Sequence, residues 1–364
     1  MNALAERWTE PEAVEPPPLR KLTLRAPDEI LQMVFDDSDR IVGDRIIAKG
    51  QNATLCGASS VGKSRLALQM AAACITGRQF VTFETRSVNL KWLFIQAENS
   101  NRRLQFDFGK LRAWIGEHDW PVVNERLIIH TLETDDDGFL NLDDEANRAA
   151  ILELIQDTKP DVALWDSLYN FQIGDLNKDQ DMAATLRAIT HLTKTGNPER
   201  VPFVLHHALT GRAGAAKATG YDRASFSRNS KVLHAWTRGQ INVSAGSPDN
   251  NDTLILSCGK CSNGREFDPF AVRLNPDTFI YEPDPAFDLS AWESNMTGKP
   301  SEPLMNPDRV RELCAVAGIA KADLAKCLMN DCGCARGTAY RHIAGAERAK
   351  TIKWSKANEL YHRA

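Results

Sequence analysis

Residues 51–77 read Gln51-Asn-Ala-Thr-Leu-Cys-Gly57-Ala58-Ser59-Ser60-Val61-Gly62-Lys63-Ser64-Arg65-Leu-Ala-Leu-Gln-Met-Ala-Ala-Ala-Cys-Ile-Thr-Gly77, and Gly57 to Ser64 fit G-x-x-x-x-G-K-[ST], the pattern of a phosphate-cradling loop. The flanks support the match. Ala53 to Cys56 is a short uncharged run of strand type. Beyond the loop, Leu66, Ala67, Met70, Ala71 and Cys74 recur at helical spacing, and Gly77 supplies a stop. Strand, glycine loop and helix therefore stand in the order that anion binding requires, which a chance glycine turn would not. Gly57 and Gly62 let the backbone curl so that the N–H groups along Ala58, Ser59, Ser60 and Val61 face an anion. The helix that begins at Lys63, Ser64 and Arg65 adds the partial positive charge of its N-terminus. Lys63 is expected on the β- and γ-phosphates and the Ser64 hydroxyl on Mg2+. ATP with Mg2+ is the expected ligand.

Later strands lead to the same edge. The apolar run 92–95 closes on Gln96-Ala97-Glu98, and open α/β sheets bind ligands at the C-terminal ends of their strands. Glu98 is placed either to polarise a water against the γ-phosphate or to cap the next helix, which Asn99 and Ser100 could begin. Asp143 and Asp144 precede an amphipathic run through Ala149, Ile151, Leu152, Leu154 and Ile155, which Lys159-Pro160 ends. Asp161-Val-Ala-Leu-Trp-Asp166 then reads as an apolar strand closing on a carboxylate, the form of a Walker B element in which Asp166 orients Mg2+. A helix is expected over 179–194, with Met182, Leu186 and Ile189 on one face, and a strand over 201–205 that ends in His206-His207. His206 fits either a sensor of the γ-phosphate or a neutral structural histidine. Strand and helix alternate, which predicts a mainly parallel sheet with helices on both faces.

The 364 residues are 43% hydrophobic and 25% charged, a globular composition long enough for one large and one small domain. No apolar run reaches membrane-spanning length and no signal-peptide-like region opens the chain, so a cytoplasmic protein without a membrane partner is expected. Its eight cysteines are then expected reduced. The net charge of −4 hides an asymmetry: residues 307–364 carry 11 Lys and Arg against 6 Asp and Glu, net +5, while the remainder carries 33 against 42, net −9. A basic tail on an acidic body points to a polyanion-binding module.

Residues 1–25, with Pro11 and Pro16-Pro17-Pro18, read as a flexible arm, and 28–35 as a short capped helix. Residues 208–229 are rich in Gly, Ala, Ser and Arg and read as a mobile loop. The runs 231–243, 253–257 and 270–274 read as a hairpin-rich extension of the sheet. Cys258-x-x-Cys261 resembles half a zinc site, but no second pair stands near it. Cys314, Cys327, Cys332 and Cys334 show no established ligand spacing either, so buried or free thiols are expected. Pro283, Pro285, Pro300 and Pro303, with Pro307 just beyond, mark 283–306 as a linker. Helices expected over 309–316, 321–329 and 336–343, with a wing strand at 350–354, follow the plan of a helix-turn-helix. Its third helix would offer Arg336, Thr338, Tyr340 and Arg341 to duplex DNA; a small three-helix assembly domain is the alternative.

With these residues in place, the stretch from about 27 to 280 resembles the RecA-like ATPases of the plasmid RepA replicative helicase family. Besides the loop at 57–64, Gln96-Ala97-Glu98 is similar to that family's strand ending in Ala-Glu, Leu164-Trp-Asp166-Ser167 to its Walker B, and His206-His207 to its paired histidines. Ser227-Arg228-Asn229-Ser230 is similar to the segment bearing its arginine finger; Arg238 matches a second arginine, and Lys260 with Gly264 a later lysine. The family often has a lysine soon after the histidines, where this chain has Ala208-Leu-Thr210-Gly. The resemblance implies Glu98 as catalytic base and His206 as sensor. It implies that Arg228 and Arg238 act on a neighbour's nucleotide in a homo-oligomeric, expectedly hexameric, ring around single-stranded DNA. The expected architecture is an α/β RecA-like P-loop core over 26–282, then the linker and a small, mostly α, winged helix-turn-helix-like domain over 307–364. An ATP-hydrolysing DNA helicase is the favoured expectation, with an ATP-gated DNA-binding regulator or a RecA-type recombination mediator as alternatives from the same core.

Overall fold

The computed structural model describes residues 23–34, 37–86, 89–208, 214–227, 231–247, 250–297, 305–334 and 336–364. Residues 1–37 and 38–364 group as separate compact units. In the first, α1 (Pro27–Leu31) is short and exposed, and the Glu29 carboxylate accepts the Ala26 N–H at 2.6 Å. It ends earlier than the expected span, and all of the proline-rich arm but residues 23–25 lies outside the described residues.

The second unit is built on a sheet. After β1 (Arg40–Val42) and β2 (Ile47–Ala48), which pair with each other, come β3 (Ala53–Gly57), α2 (Lys63–Thr76) and β4 (Trp92–Gln96). Next are α3 (Asn101–Ile115), α4 (Trp120–Arg126), β5 (Leu127–Ile129), α5 (Glu145–Thr158), β6 (Val162–Asp166), α6 (Asp179–Lys194) and β7 (Val201–His207). The chain continues through α7 (Lys231–Trp236), β8 (Gly239–Ala245), β9 (Thr253–Cys261), β10 (Phe270–Leu274) and β11 (Tyr281–Pro283). Among the described residues, nine strands form one sheet in the order β11-β10-β9-β8-β3-β7-β6-β4-β5. From β8 to β5 every pairing is parallel; β9, β10 and β11 add on antiparallel.

Every residue of β3, β4 and β6 is buried, as parallel strands covered on both faces require. On one face Leu55, Trp92, Phe203 and Leu205 pack with α2; on the other Leu93, Ile95, Trp165 and Val204 pack with Met182, Leu186 and Ile189 of α6. Trp165 also places its indole N–H on the Thr193 hydroxyl at 3.2 Å, so the buried ring leaves no polar atom unmet. Eleven of the fourteen residues of α2 are buried, which makes it a helix enclosed on all sides rather than an amphipathic surface helix. It ends as its sequence suggests, at Gly77 in left-handed backbone (φ 69°) with the N–H on the Ala73 carbonyl.

Two expectations are corrected. Residues 231–243 do not form one strand: Lys231 to Trp236 is α7, with Leu233 buried and the Trp236 indole on the Thr190 hydroxyl, and the strand starts at Gly239. The segment 283–306 is more than a linker, since α8 (Leu289–Thr297) lies within it. Its Trp292 is buried and donates to the Ala245 carbonyl at 3.0 Å.

Beyond, α9 (Pro307–Leu313), α10 (Lys321–Cys332), α11 (Arg336–Arg348) and the antiparallel pair β12 (Ile352–Ser355) and β13 (Leu360–Arg363) enclose their own apolar cluster of Val310, Leu324, Leu328, Ile343, Ile352 and Tyr361. Among the described residues, no helix is long and apolar enough to cross a membrane.

Candidate nucleotide-binding site

The loop between β3 and α2 lies at the C-terminal edge of the parallel strands. Gly62 has φ 99°, a value that glycine alone adopts freely, and a Cβ there would also run into the Tyr281 hydroxyl. Tyr281 is itself fixed at its backbone, its carbonyl accepting from Gln69 Nε2 at 2.8 Å and its N–H donating to Gln69 Oε1 at 2.9 Å. Ser60 stands at φ 59°, and its carbonyl accepts from Asn251 Nδ2 at 3.0 Å. The antiparallel extension therefore braces the loop from one side.

Lys63 is buried and donates to the Gly57 and Ala58 carbonyls at 3.1 and 2.8 Å. Burial lowers its pKa, and Asp166 works against that shift. Ser64 Oγ donates to Asp166 Oδ2 at 2.6 Å. These are hard oxygen donors side by side at the head of the loop, the set that suits Mg2+. Burial pushes the Asp166 carboxyl up to about 6, the Ser64 bond opposing and Glu98 adding to the rise.

Glu98 leaves the end of β4, the strand beside β6. The cap of α3 is Ser100, whose hydroxyl accepts from the Arg103 N–H, so Glu98 is not the capping residue. Its Oε1 instead accepts from Ser167 Oγ at 2.8 Å and Asn170 Nδ2 at 2.9 Å, while Gln96 Oε1 accepts the Glu98 N–H at 3.1 Å. A carboxylate so held, exposed at the edge, is positioned to orient a water.

The register puts His206 opposite Cys56 and His207 opposite Gly57. Neighbours on a strand face opposite ways, so His206 lies buried on the side away from α2, and it is His207 Nδ1 that sits 3.5 Å from Lys63 Nζ. Arg65 leans on the Phe279 ring at 5.0 Å and pairs with Asp107 at 3.3 Å. An apolar cavity of about 890 Å3 opens next to Ala58, walled by Phe226, Val243, Trp292 and Met296. Its lining does not suit a triphosphate; the anion cradle is the loop itself.

Arg238 and Lys260 stand elsewhere. Gly239 pairs with Ala53 at the start of β3, and Lys260 pairs with Gln240, so both cations lie at the edge opposite the phosphate loop. Lys260 Nζ donates to the His234 carbonyl at 2.7 Å, and Arg238 Nη1 to the Ala235 carbonyl at 3.3 Å. Burial lowers the Lys260 pKa, and Arg238 adds to the shift. Arg228 lies outside the described residues, as does the side chain of Arg336. On α11, Thr338, Tyr340 and Arg341 are half-buried, with the Lys321 ammonium 5.7 Å over the Tyr340 ring.

A family model described as an AAA domain, AAA_25, matches residues 16–212, more than half of the chain. The chain belongs to this AAA-domain family. With the sheet order and the loop, that makes it a P-loop ATPase of RecA-like fold, of a nucleotide-hydrolysing family. No curated protein matches the chain. Among solved structures it is similar to a KaiC-like protein of the hyperthermophilic archaeon Pyrococcus horikoshii, at 13% identity and TM-score 0.42, over 65% of this chain and 91% of that one.

In this AAA-domain protein, sequence reasoning missed Asn170, Asn251 and Tyr281 around the loop, and it named Ser167 and His207 within motifs without giving either a role. Their approach depends on long-range register, which no local motif encodes.

The elevated Asp166 pKa has a measurable consequence. Between its ordinary value near 3.8 and about 6, the folded chain holds a proton that the unfolded chain has released, so stability falls as pH rises through this window. Above it the buried charge is a standing cost. Asp166→Asn is therefore expected to raise the melting temperature of the nucleotide-free chain at pH 7.5, to give no gain at pH 4, and to lose Mg2+-dependent hydrolysis. Equal melting shifts at both pH values in thermal denaturation would refute the assignment.

Proposed function

We propose that this ATPase is a ring-forming motor on DNA, a replicative helicase of a plasmid, phage or other mobile element. The observation that supports it best is the division of charged groups between two edges of one sheet. The loop, Asp166 and Glu98 occupy the C-terminal edge, and Arg238 and Lys260 the other, separated by the β3 strand from Ala53 to Gly57, roughly 13 Å long. A cation so placed is out of reach of its own chain's γ-phosphate. It suits a neighbour's, where an arginine supplied in trans stabilises the charge of phosphoryl transfer.

On this reading Lys63 and the loop amides hold the phosphates, Ser64 and Asp166 hold Mg2+, and Glu98 aligns the attacking water. Arg228 and Arg238 complete the site of the adjacent subunit. His206, together with His207 beside Lys63, reports nucleotide state to DNA-facing residues after β7, where a single strand passes through the ring. The order of α9, α10, α11 and the β12–β13 hairpin supports a winged helix-turn-helix, whose α11 carries Arg336, Thr338, Tyr340 and Arg341 as the residues for duplex DNA.

The test is ATP turnover and forked-duplex unwinding, each with and without single-stranded DNA, for the wild type and for Arg228→Ala. Turnover stimulated by single strands, unwinding, and loss of both in the variant are expected. Hydrolysis without unwinding, with tight duplex binding that needs residues 307–364, would make the protein a DNA-binding regulator instead. Mixing supplies a separate check on the trans arginine. Lys63→Ala and Arg238→Ala chains, each inactive alone, are expected to regain up to about a quarter of wild-type turnover when combined, because that share of interfaces pairs an intact loop with an intact arginine. No recovery on mixing counts against Arg238 acting between subunits.

A further inference from the structure

The C-terminal helices contain a side-chain cluster that the nucleotide chemistry does not use. Helix α10 ends at Cys332, and Gly333 follows in left-handed backbone at φ 65°, its N–H on the Met329 carbonyl. Glycine takes that conformation without steric cost, and the chain turns directly back to Cys334. The turn brings both thiols to one carbonyl: Cys332 Sγ donates to Leu328 O at 2.9 Å and Cys334 Sγ at 3.9 Å. His342 arrives from α11 and is 5% exposed. One of its ring nitrogens and the two sulfurs all lie within 4.8 Å of one another. Among the described residues, no other group of three His, Cys, Asp or Glu side chains is so arranged.

We propose that Cys332, Cys334 and His342 form a binding site for a thiophilic divalent cation, zinc first, which staples the C-terminal helices. Two sulfurs and an imidazole are zinc's preferred donors, whereas Mg2+ and Ca2+ take oxygen. Tetrahedral zinc, with Zn–S near 2.3 Å and Zn–N near 2.0 Å, separates its donors by roughly 3.5–3.8 Å. The three groups therefore need to close by only about 1 Å, which side-chain rotation provides. Cys332 is exposed, so a water can take the fourth position.

Binding is balanced by protons. Each thiol releases one to solvent as its sulfur bonds the metal, and the imidazole contributes an unprotonated nitrogen. The Met305 N–H donates to His342 Nδ1 at 3.0 Å, so Nδ1 is unprotonated there and Nε2 carries the proton of the neutral ring. Loading ends the Met305 contact whichever nitrogen faces the sulfurs: Nδ1 exchanges the amide for the metal, or Nε2 binds and its proton passes to Nδ1, which then no longer accepts. The site thereby links the end of α10 to the body of α11. The Cys258 and Cys261 pair is a poorer candidate, since no third donor joins it among the described residues, and burial pushes the Cys258 thiol up to about 11.

The test uses the full chain, reduced, free of nucleotide and stripped of metal, then loaded with Zn2+ or Co2+ and passed through gel filtration. About one zinc per chain should remain, and cobalt should give the near-ultraviolet thiolate charge-transfer band that oxygen and nitrogen ligands lack. The double variant Cys332→Ser with Cys334→Ser should fall below about a tenth of a zinc per chain while keeping its DNA-independent ATP turnover, and His342→Gln should weaken retention. Cys258→Ser with Cys261→Ser should retain the metal. Absence of the cobalt band in the reduced wild type overturns the proposal whatever the variants do. So does full zinc retention in the Cys332, Cys334 variant, or isolation from cells of a metal-free chain bridged between Cys332 and Cys334.

Discussion

Lys63→Ala is expected to abolish ATP turnover and to weaken nucleotide binding by at least about tenfold, a loss of about 1.4 kcal/mol or more. The side chain is the one buried cation at the head of the loop among the described residues, already desolvated, with its ammonium on the Gly57 and Ala58 carbonyls. A buried ammonium meets a phosphate in a low effective dielectric, where the attraction is several times that in water. The fold should survive, because alanine is the better helix former at the first position of α2 and the carboxyl left behind, Asp166, keeps its Ser64 bond and is already pushed up to about 6 by burial. Fluorescent-nucleotide titration and a phosphate-release assay, with circular dichroism as the control, decide the matter. Wild-type turnover in a folded variant would sink the site.

Glu98→Gln should separate binding from chemistry. Glutamine keeps an oxygen that can accept from Ser167 and Asn170, so the side chain stays where it is. What disappears is the basic carboxylate, which on the proposed function orients and deprotonates water, a contribution of about 10²–10⁴ in rate. ATP affinity is expected within about threefold of wild type. The variant should therefore trap nucleotide-bound protein. If turnover drops less than about tenfold, the catalytic base lies elsewhere. Asn170→Ala offers an intermediate case: the carboxylate remains, held by Ser167 but no longer by Asn170, and turnover should fall without a change in affinity.

The parts of this architecture legible in the chain were those whose cause is local. Gly57 and Gly62 at fixed spacing, the uncharged strand before them and Gly77 after the helix define β3, the loop and α2 without outside help. Asp144 as the cap of α5, with its carboxylate on the Ala146 N–H, and Lys159 in left-handed backbone at the other end follow from the same short-range chemistry. Helix α3 was harder. Only Leu104, Leu111 and Ile115 are buried along its fifteen residues, a stripe too thin to stand out among four arginines and lysines. Helix α7 misled because Val232 and Trp236 are residues that strands favour, and it is packing against α6 that holds the segment helical. The pairing of β7 with β3 spans more than a hundred residues. The substitution of His207 for His206 beside Lys63 depends on it, since a register is not written in either strand alone. His342 joins Cys332 and Cys334 only after α10 and α11 have packed, which is why cysteine spacing by itself pointed to no site.

The enclosure of α2 has a consequence for how this chain can vary over evolutionary time. Most helices tolerate replacement on one side, so related sequences drift there with a period near 3.6 residues. With Leu66 through Ile75 buried without interruption, α2 has no such side. Four alanines, 67 and 71 to 73, admit nothing larger without displacing neighbours, and the remaining positions resist shrinkage. Among relatives of this protein the segment should therefore read as a block of near-constant volume rather than as an alternation of fixed and free positions. The motif's apparent eight-residue signature would then extend in effect to Gly77, with steric enclosure, not phosphate chemistry, as the reason for its second half.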